Sequence, residues 1–284
     1  KSPPKFKPFR KYRSFTLKQA GWKLDEDIGR IKIGKNWYRY HKSRNIEGEE
    51  KTLTVKRDRV GDFYIIISCE LKNQMPIKSI SSTGKIAGFD FGMKTFLTSS
   101  DDSTYNFVQF LKSDIKEFKE KSKQLSRKIP GSKNRKKAIK VLARFHRKIT
   151  NKRTDSHFKL ALDLVRKYDY LFFEDLSLEG MKQLWGRKVS DLGFYSFLKI
   201  VEFKALEHHK VMHKVDRFFP SSKKCSRCHE INHDLTLKNR IFECKACKMK
   251  MDRELNAAIN IEMEGAFSIG LEGVKPNINL VSFV

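Results

Sequence analysis

Four cysteines fall in two tight pairs, Cys225-x-x-Cys228 and Cys244-x-x-Cys247, with fifteen residues between the pairs. Thiols at this spacing can surround one tetrahedral zinc ion, two from each of two short loops, so residues 221–250 are expected to fold as a four-thiolate zinc ribbon. Four thiolates leave zinc no open position, which makes its role structural. His229 and His233 lie inside the ribbon but are surplus to the ligand set and read as loop residues. The fifth cysteine, Cys69, stands alone in an apolar run and reads as a small core residue. Paired thiols at zinc spacing, rather than scattered cysteines in a short chain, point to a reducing, cytoplasmic compartment. No apolar run approaches the roughly 18 residues of a membrane span, and no signal peptide is expected. The chain starts at Lys1 rather than Met and reads as part of something longer.

Charge narrows the class of partner. Sixty Lys and Arg oppose 33 Asp and Glu, giving +27 over 284 residues. Such an excess repels itself in a compact state, and a polyanion relieves it. Apolar residues make up 39%, with 22 Phe, which excludes a disordered chain. The charge is also clustered. Residues 112–153 hold seventeen Lys and Arg against three acids. Within them Ile115, Phe118, Leu125 and Ile129, then Ile139, Leu142, Phe145 and Ile149, recur near helical spacing, and Pro130-Gly131-Ser132 interrupts the run. The pattern predicts a basic helical hairpin with a narrow apolar seam, followed by a separate helix over 156–167. Solvated faces mix signs, and this one does not, which favours a nucleic-acid groove.

Residues 1–80 are basic and rich in strand signals. Residues 52–57 and 63–69 flank Gly61 as a hairpin. Phe6, Phe9, Tyr12, Trp37, Tyr38 and Tyr40 are interleaved with Lys and Arg, a mixture suited to RNA backbone contact and base stacking.

The acids that carry chemistry are few and placed at the ends of apolar runs. Asp90 is embedded in Gly88-Phe89-Asp90-Phe91-Gly92, and an ionised carboxylate in a central strand is costly unless a cation or donors satisfy it. The flanking glycines admit close approach of another backbone or a ligand. Glu174 ends the run Tyr170-Leu171-Phe172-Phe173. A helix opening at Asp252-Arg253-Glu254 follows the ribbon. Strand, hairpin, helices, strand, helix with acids at strand ends is the order an α/β RNase H-like fold requires, where acids from separate segments converge at one end of a mixed sheet. Converging carboxylates can hold two Mg²⁺ ions about 3.5–4 Å apart for phosphodiester cleavage. In that arrangement Asp90 would bridge both ions, Glu174 would hold one, and a carboxylate on the helix after the ribbon would hold the other.

Taken in order, Gly88-Phe89-Asp90-Phe91-Gly92-Met93-Lys94, Phe173-Glu174-Asp175-Leu176, Trp185-Gly186-Arg187-Lys188, Phe218-Phe219-Pro220-Ser221-Ser222-Lys223, the ribbon and Asp252-Arg253-Glu254-Leu255-Asn256-Ala257-Ala258-Ile259-Asn260-Ile261 resemble the TnpB family. These are transposon-encoded RNA-guided DNA endonucleases related to type V CRISPR effectors. The resemblance implies a β-rich wedge-type domain at 1–80 and a RuvC-like (RNase H-like) nuclease domain at 84–220, with the basic hairpin 112–153 within it. It further implies the ribbon at 221–250 as a target-nucleic-acid-binding module, and a last RuvC-like helix and tail at 251–284. A guide RNA from the transposon end would direct Mg²⁺-dependent cleavage of double-stranded DNA in the nucleoid of a bacterium, with Zn²⁺ structural. The N-terminal helical insertion expected in the family is not in this sequence. The family usually carries Asp where this chain has Glu254, so the sequence leaves Glu254 and Asp252 both open as the third ligand. It also keeps open a nuclease-impaired, RNA-guided DNA binder that represses transcription by occupying its target. A zinc-ribbon RNA-binding protein without a DNA target leaves Asp90 and Glu174 unexplained. A DNA-transposing recombinase fits the basic hairpin and the β domain less well.

Overall fold

The computed structural model describes residues 11–70, 83–176, 188–236 and 239–271, together with 183 and 186. Phe6, Phe9, Trp185 and Arg187 lie outside the described residues. The chain divides into two compact units, one of residues 1–76 with 121–145, the other of residues 77–120 with 146–284.

The first unit holds two antiparallel three-stranded sheets. One orders β1 (Ser14–Leu17), β5 (Glu49–Arg57) and β6 (Phe63–Glu70) as β1-β5-β6. The other orders β2 (Trp22–Asp25), β3 (Arg30–Ile33) and β4 (Asn36–Arg39) in sequence. The hairpin between β5 and β6 turns where the sequence expects it. Asp58 Oδ1 accepts from the backbone N–H of Val60, Gly61 and Asp62 at 2.8, 2.7 and 2.9 Å, and Gly61 takes φ of +110°, which a side chain would resist. Tyr12, Trp37 and Tyr38 are exposed, whereas Tyr40 is half-buried. Cys69 is half-buried in β6 rather than in a core.

The second unit is built on a five-stranded mixed sheet in the order β11-β10-β7-β8-β9. Its strands are β7 (Ile86–Phe91), β8 (Leu97–Ser99), β9 (Thr104–Tyr105), β10 (Tyr170–Glu174) and β11 (Val211–Val215). β10 runs parallel to both β7 and β11, while β7, β8 and β9 form an antiparallel meander.

The helices are α1 (Phe110–Ser113), α2 (Ile115–Ser126), α3 (Lys133–Lys167), α4 (Phe194–Glu207) and α5 (Arg253–Ser268). Ser132 Oγ accepts from Arg135 N at 3.1 Å to open α3 after the Pro130-Gly131 turn. The expected separate helix at 156–167 is a correction: α3 is one helix of 35 residues. Residues 150–155 contain no Gly or Pro, so nothing stops the ladder once it has started.

Period-2 alternation sorts β7 between two layers. Ala87, Phe89 and Phe91 face a core shared with Ala161, Leu164 and Val165 of α3 and Phe194, Phe197 and Val201 of α4. Ile86, Gly88 and Asp90 face the opposite layer, where α5 packs through Ile261 and Ala266 on Phe172 and Val215. Gly88 explains how closely α5 lies: a Cβ there would overlap the Ala258 carbonyl oxygen and Glu262 N.

Candidate carboxylate site and zinc ribbon

Parallel pairing of β7 with β10 sets Phe89 level with Phe173, so one step on, Asp90 and Glu174 stand side by side at the carboxyl ends of adjacent strands. Both belong to the layer that faces α5. Ala258 lies on Gly88, and Glu254 is one helical turn toward the N-terminus of α5, which carries it along β7 to Asp90. The Glu254 carboxylate sits against Gly92, where a Cβ would lie 3.2 Å from both of its oxygens. Thr98 Oγ1 donates to Glu254 Oε2 at 3.5 Å, and Arg240 Nη1 donates to Oε1 at 3.1 Å.

Electrostatics record the convergence. Burial, then the charges of Glu174 and Glu254, hold the Asp90 carboxyl well above the usual carboxylate range. Burial and then Asp175 raise Glu174. Crowding of Asp90 by two further hard oxygen donors is what a divalent cation relieves, so the residues fit Mg²⁺. The three carboxylates are spread more widely than the cysteines. Among the described residues, only the cysteines bring a set of ligand atoms within 4.8 Å of one another.

The structure brings Asp90, Glu174 and Glu254 together and gives Asp252 a different task. Asp252 is the N-cap of α5, its Oδ1 accepting from Glu254 N at 2.8 Å and Leu255 N at 3.1 Å. A carboxylate bound to the first turn is both capped and held by the helix dipole. Sequence reasoning did not find Arg240, because a single Arg in a chain with sixty basic residues carries no signal.

The four cysteines form two matching loops. Cys225 N donates to Glu230 O at 2.8 Å and His229 N to Cys225 O at 2.9 Å. The second loop repeats this with Cys244 N to Met249 O at 2.9 Å and Lys248 N to Cys244 O at 3.1 Å. His229 and Lys248 take φ of +65° and +58° at equivalent positions. Flanking the second loop, β12 (Ile241–Glu243) pairs with β13 (Lys250–Asp252), and Phe242 packs on Cys225 and Cys244. Sulfur atoms of Cys225 and Cys247 lie 3.7 Å apart, those of Cys228 and Cys244 3.4 Å. Burial pushes the Cys225 thiol up to about 12, so a thiolate there requires a cation. The set can hold a metal such as zinc; His229 and His233 are exposed and outside it.

Residues 67–184 match the OrfB_IS605 family, described as "Probable transposase", and residues 194–261 match the TNB domain of Cas12f1-like proteins. Among the relatives of the chain are proteins named TnpB-like. The first family match contains Asp90 and Glu174, and the second contains Glu254 and all four cysteines. The chain is 32% identical over 231 residues to a Streptomyces pristinaespiralis protein that carries the name "Putative RNA-guided DNA endonuclease"; the match covers 80% of this chain and 56% of that one. It is 28% identical over 229 residues to TnpB-like protein L79 of Acanthamoeba polyphaga mimivirus, covering 75% and 43%. The chain thus spans about half the length of these relatives. Its fold is similar to that in a cryo-EM structure of a Cas12f1-sgRNA-target DNA complex, with TM-score 0.50, 20% identity, and coverage of 75% of this chain and 45% of that one. No described helix of the chain is long and apolar enough to cross a membrane.

Proposed function

We propose that this chain carries the nuclease of an RNA-guided, metal-dependent DNA endonuclease, with Asp90, Glu174 and Glu254 as the carboxylates of a RuvC-like site. The observation that carries it is the convergence of these three acids at one end of the sheet, where two of them raise the third. The names of the relatives support the substrate and the guide: RNA-guided DNA endonuclease for one, a guide RNA and target DNA complex for the neighbour in structure. Residues 1–80 are read as a wedge-type domain, and the basic helical hairpin 112–153 as a nucleic-acid groove.

Bound at this site, Mg²⁺ supplies charge that stabilises the displaced phosphate oxygens and lowers the pKa of water. The protein contributes the rest. Asp90 is fixed by its strand and cannot swing away, because Phe89 and Phe91 on either side are buried. Glu174 is held beside it by the parallel ladder. Arg217 braces the adjoining residue, with Nε on Asp175 O at 3.2 Å and Nη2 on Asp175 Oδ2 at 2.7 Å. Glu254 reaches across from α5 into the space that Gly92 leaves open. The longer side chain of Glu, compared with the Asp usual in the family, is accommodated by that glycine.

The test uses full-length protein purified with its RNA, a matched DNA duplex and Mg²⁺. Asp90→Ala and Glu254→Gln are each expected to lower cleavage by on the order of a hundredfold or more while gel-shift binding persists. Asp252→Asn is expected to cleave near the wild-type rate. Equal binding without cleavage in wild type and Asp90→Ala would overturn the nuclease and leave a protein that occupies DNA.

A further inference from the structure

Two asparagines on α5 are fully buried, Asn256 and Asn260, one turn apart in a helix otherwise filled there by Ala257, Ala258 and Ile261. Apolar residues would fill that volume without desolvating two amides, so packing alone does not account for them. Their hydrogen bonds all reach the segment that enters the ribbon. Asn256 Oδ1 accepts from Ser226 N at 3.0 Å, and Asn256 Nδ2 donates to Lys224 O at 2.8 Å. Those are the peptide groups on either side of Cys225, so one side chain grips the backbone of a thiol ligand from both directions. Asn260 Nδ2 donates to Ser221 O at 2.8 Å and to Lys224 O at 2.6 Å. Both partners are carbonyls, which fixes the amide orientation even though Asn260 Oδ1 is buried without a partner.

The other end of the ribbon grips the same helix. β13 ends in Asp252, the N-cap, and Arg253 N donates to Arg240 O at 2.8 Å. Arg240, next to β12, pairs with Glu254 itself. The first two turns of α5 are therefore clasped between the two halves of the ribbon, and Glu254 lies inside the clasp.

We propose that Asn256 and Asn260 are positioning residues that couple metal occupancy of the ribbon to the placement of Glu254, so that zinc sets the affinity of the carboxylate site for its own divalent ion. The inference rests on the reading of Asp90, Glu174 and Glu254 as that site. Ordering of the cysteine loop by zinc holds Lys224 O and Ser226 N in place, the amides pass that constraint to α5, and Glu254 is kept beside Asp90. Loss of outer partners of a metal ligand typically lowers affinity about 10- to 100-fold.

The experiment measures Mn²⁺ binding by electron paramagnetic resonance on full-length protein, with zinc present and after zinc is stripped by a chelator and removed. Wild type is expected to bind Mn²⁺ about 10- to 100-fold more weakly without zinc. Asn256→Ala/Asn260→Ala is expected to retain its zinc, to bind Mn²⁺ as weakly as stripped wild type, and to lose nothing further on stripping. If the double variant fails to hold zinc, Asn256→Asp serves: it keeps the acceptor for Ser226 N and loses the donor to Lys224 O. A merely structural role would instead lower zinc content and melting temperature while leaving the two metal sites independent. Equal Mn²⁺ affinity with and without zinc in wild type overturns the coupling alone. Mn²⁺ binding that is absent in wild type, or unchanged by Asp90→Ala, overturns the carboxylate site and the coupling with it.

Discussion

The two ends of the five-stranded sheet both bury acids, yet they treat them in opposite ways. At the amino ends of β7 and β10, Asp169 accepts from Thr83 N at 2.9 Å and Gly84 N at 2.7 Å and pairs with buried Lys210. Nearby, Asp101 pairs with Lys167 Nζ at 2.8 Å and accepts from Tyr168 Oη at 2.7 Å. Burial raises the Asp101 carboxyl, but the hydrogen bonds from Lys167, Tyr168 and Ser103 outweigh it and hold the group well below the usual range. At the carboxyl ends the same strands present Asp90 to Glu174 and Glu254, and its carboxyl is driven the other way. The difference separates acids matched by donors and cations from an acid crowded by other carboxylates. Ligand sites in open α/β sheets lie at the carboxyl ends of strands, which agrees with the end where the carboxylates crowd Asp90.

The contrast breaks most visibly if Asp169 is changed. Asp169→Asn removes the carboxylate that pairs with buried Lys210, and loss of one partner of such a pair costs about 3–5 kcal/mol. Denaturant unfolding is expected to show that loss, while cleavage per folded molecule stays at the wild-type level. A fall in cleavage by the folded fraction would mean that the two ends are not separate in function.

Gly88 sits between the ends and sharpens the comparison. Gly88→Ala forces a methyl group into the α5 backbone at Ala258 and Glu262, and overpacking of this kind costs about 1–3 kcal/mol. Because Glu254 rides on the same helix face, cleavage is expected to fall with stability here, unlike in Asp169→Asn. Urea unfolding and a cleavage assay on the same sample check both. An Ala variant that unfolds more easily and cleaves normally would show that Glu254 is positioned by something other than the contact of α5 with β7.

Much of this was legible in the chain because the signals are local. Cysteine spacing gives the ribbon, alternation gives β7, and an acid after Tyr170-Leu171-Phe172-Phe173 gives the end of β10. The glycines around Asp90 indicate close approach, and α5 lies where Gly88 indicates. What was not legible depends on phase in three dimensions. Asp252 and Glu254 are two residues apart, and their roles separate only when the strand-to-helix transition is located at Asp252. The unbroken α3 is hidden because polar residues at 150–155 read equally well as loop or as exposed helix. Arg240 and the two asparagines act through partners 14 to 39 positions away, which no window along the chain connects.

The smallest effect expected is also the one of unusual sign. Asp90 is held above its ordinary value in the folded protein, so ionising it opposes folding. Its contribution to stability is complete below the unfolded value near 3.8 and is lost as pH rises through the folded value. Metal-free Asp90→Asn is therefore expected to be more stable than wild type at neutral pH, by about 1 kcal/mol, and to lose that advantage on acidification. His157 works against this in absolute terms. Burial lowers it to about 4, so its folded form resists protonation and stability is lost as pH falls from 6.5. The difference between variant and wild type cancels His157, since it is present in both. Mg²⁺ at neutral pH is expected to raise the melting temperature of wild type and to leave Asp90→Asn nearly unchanged. A variant less stable than wild type at neutral pH, or stabilised equally by Mg²⁺, would show that the carboxyl end of the sheet is as compensated as the amino end.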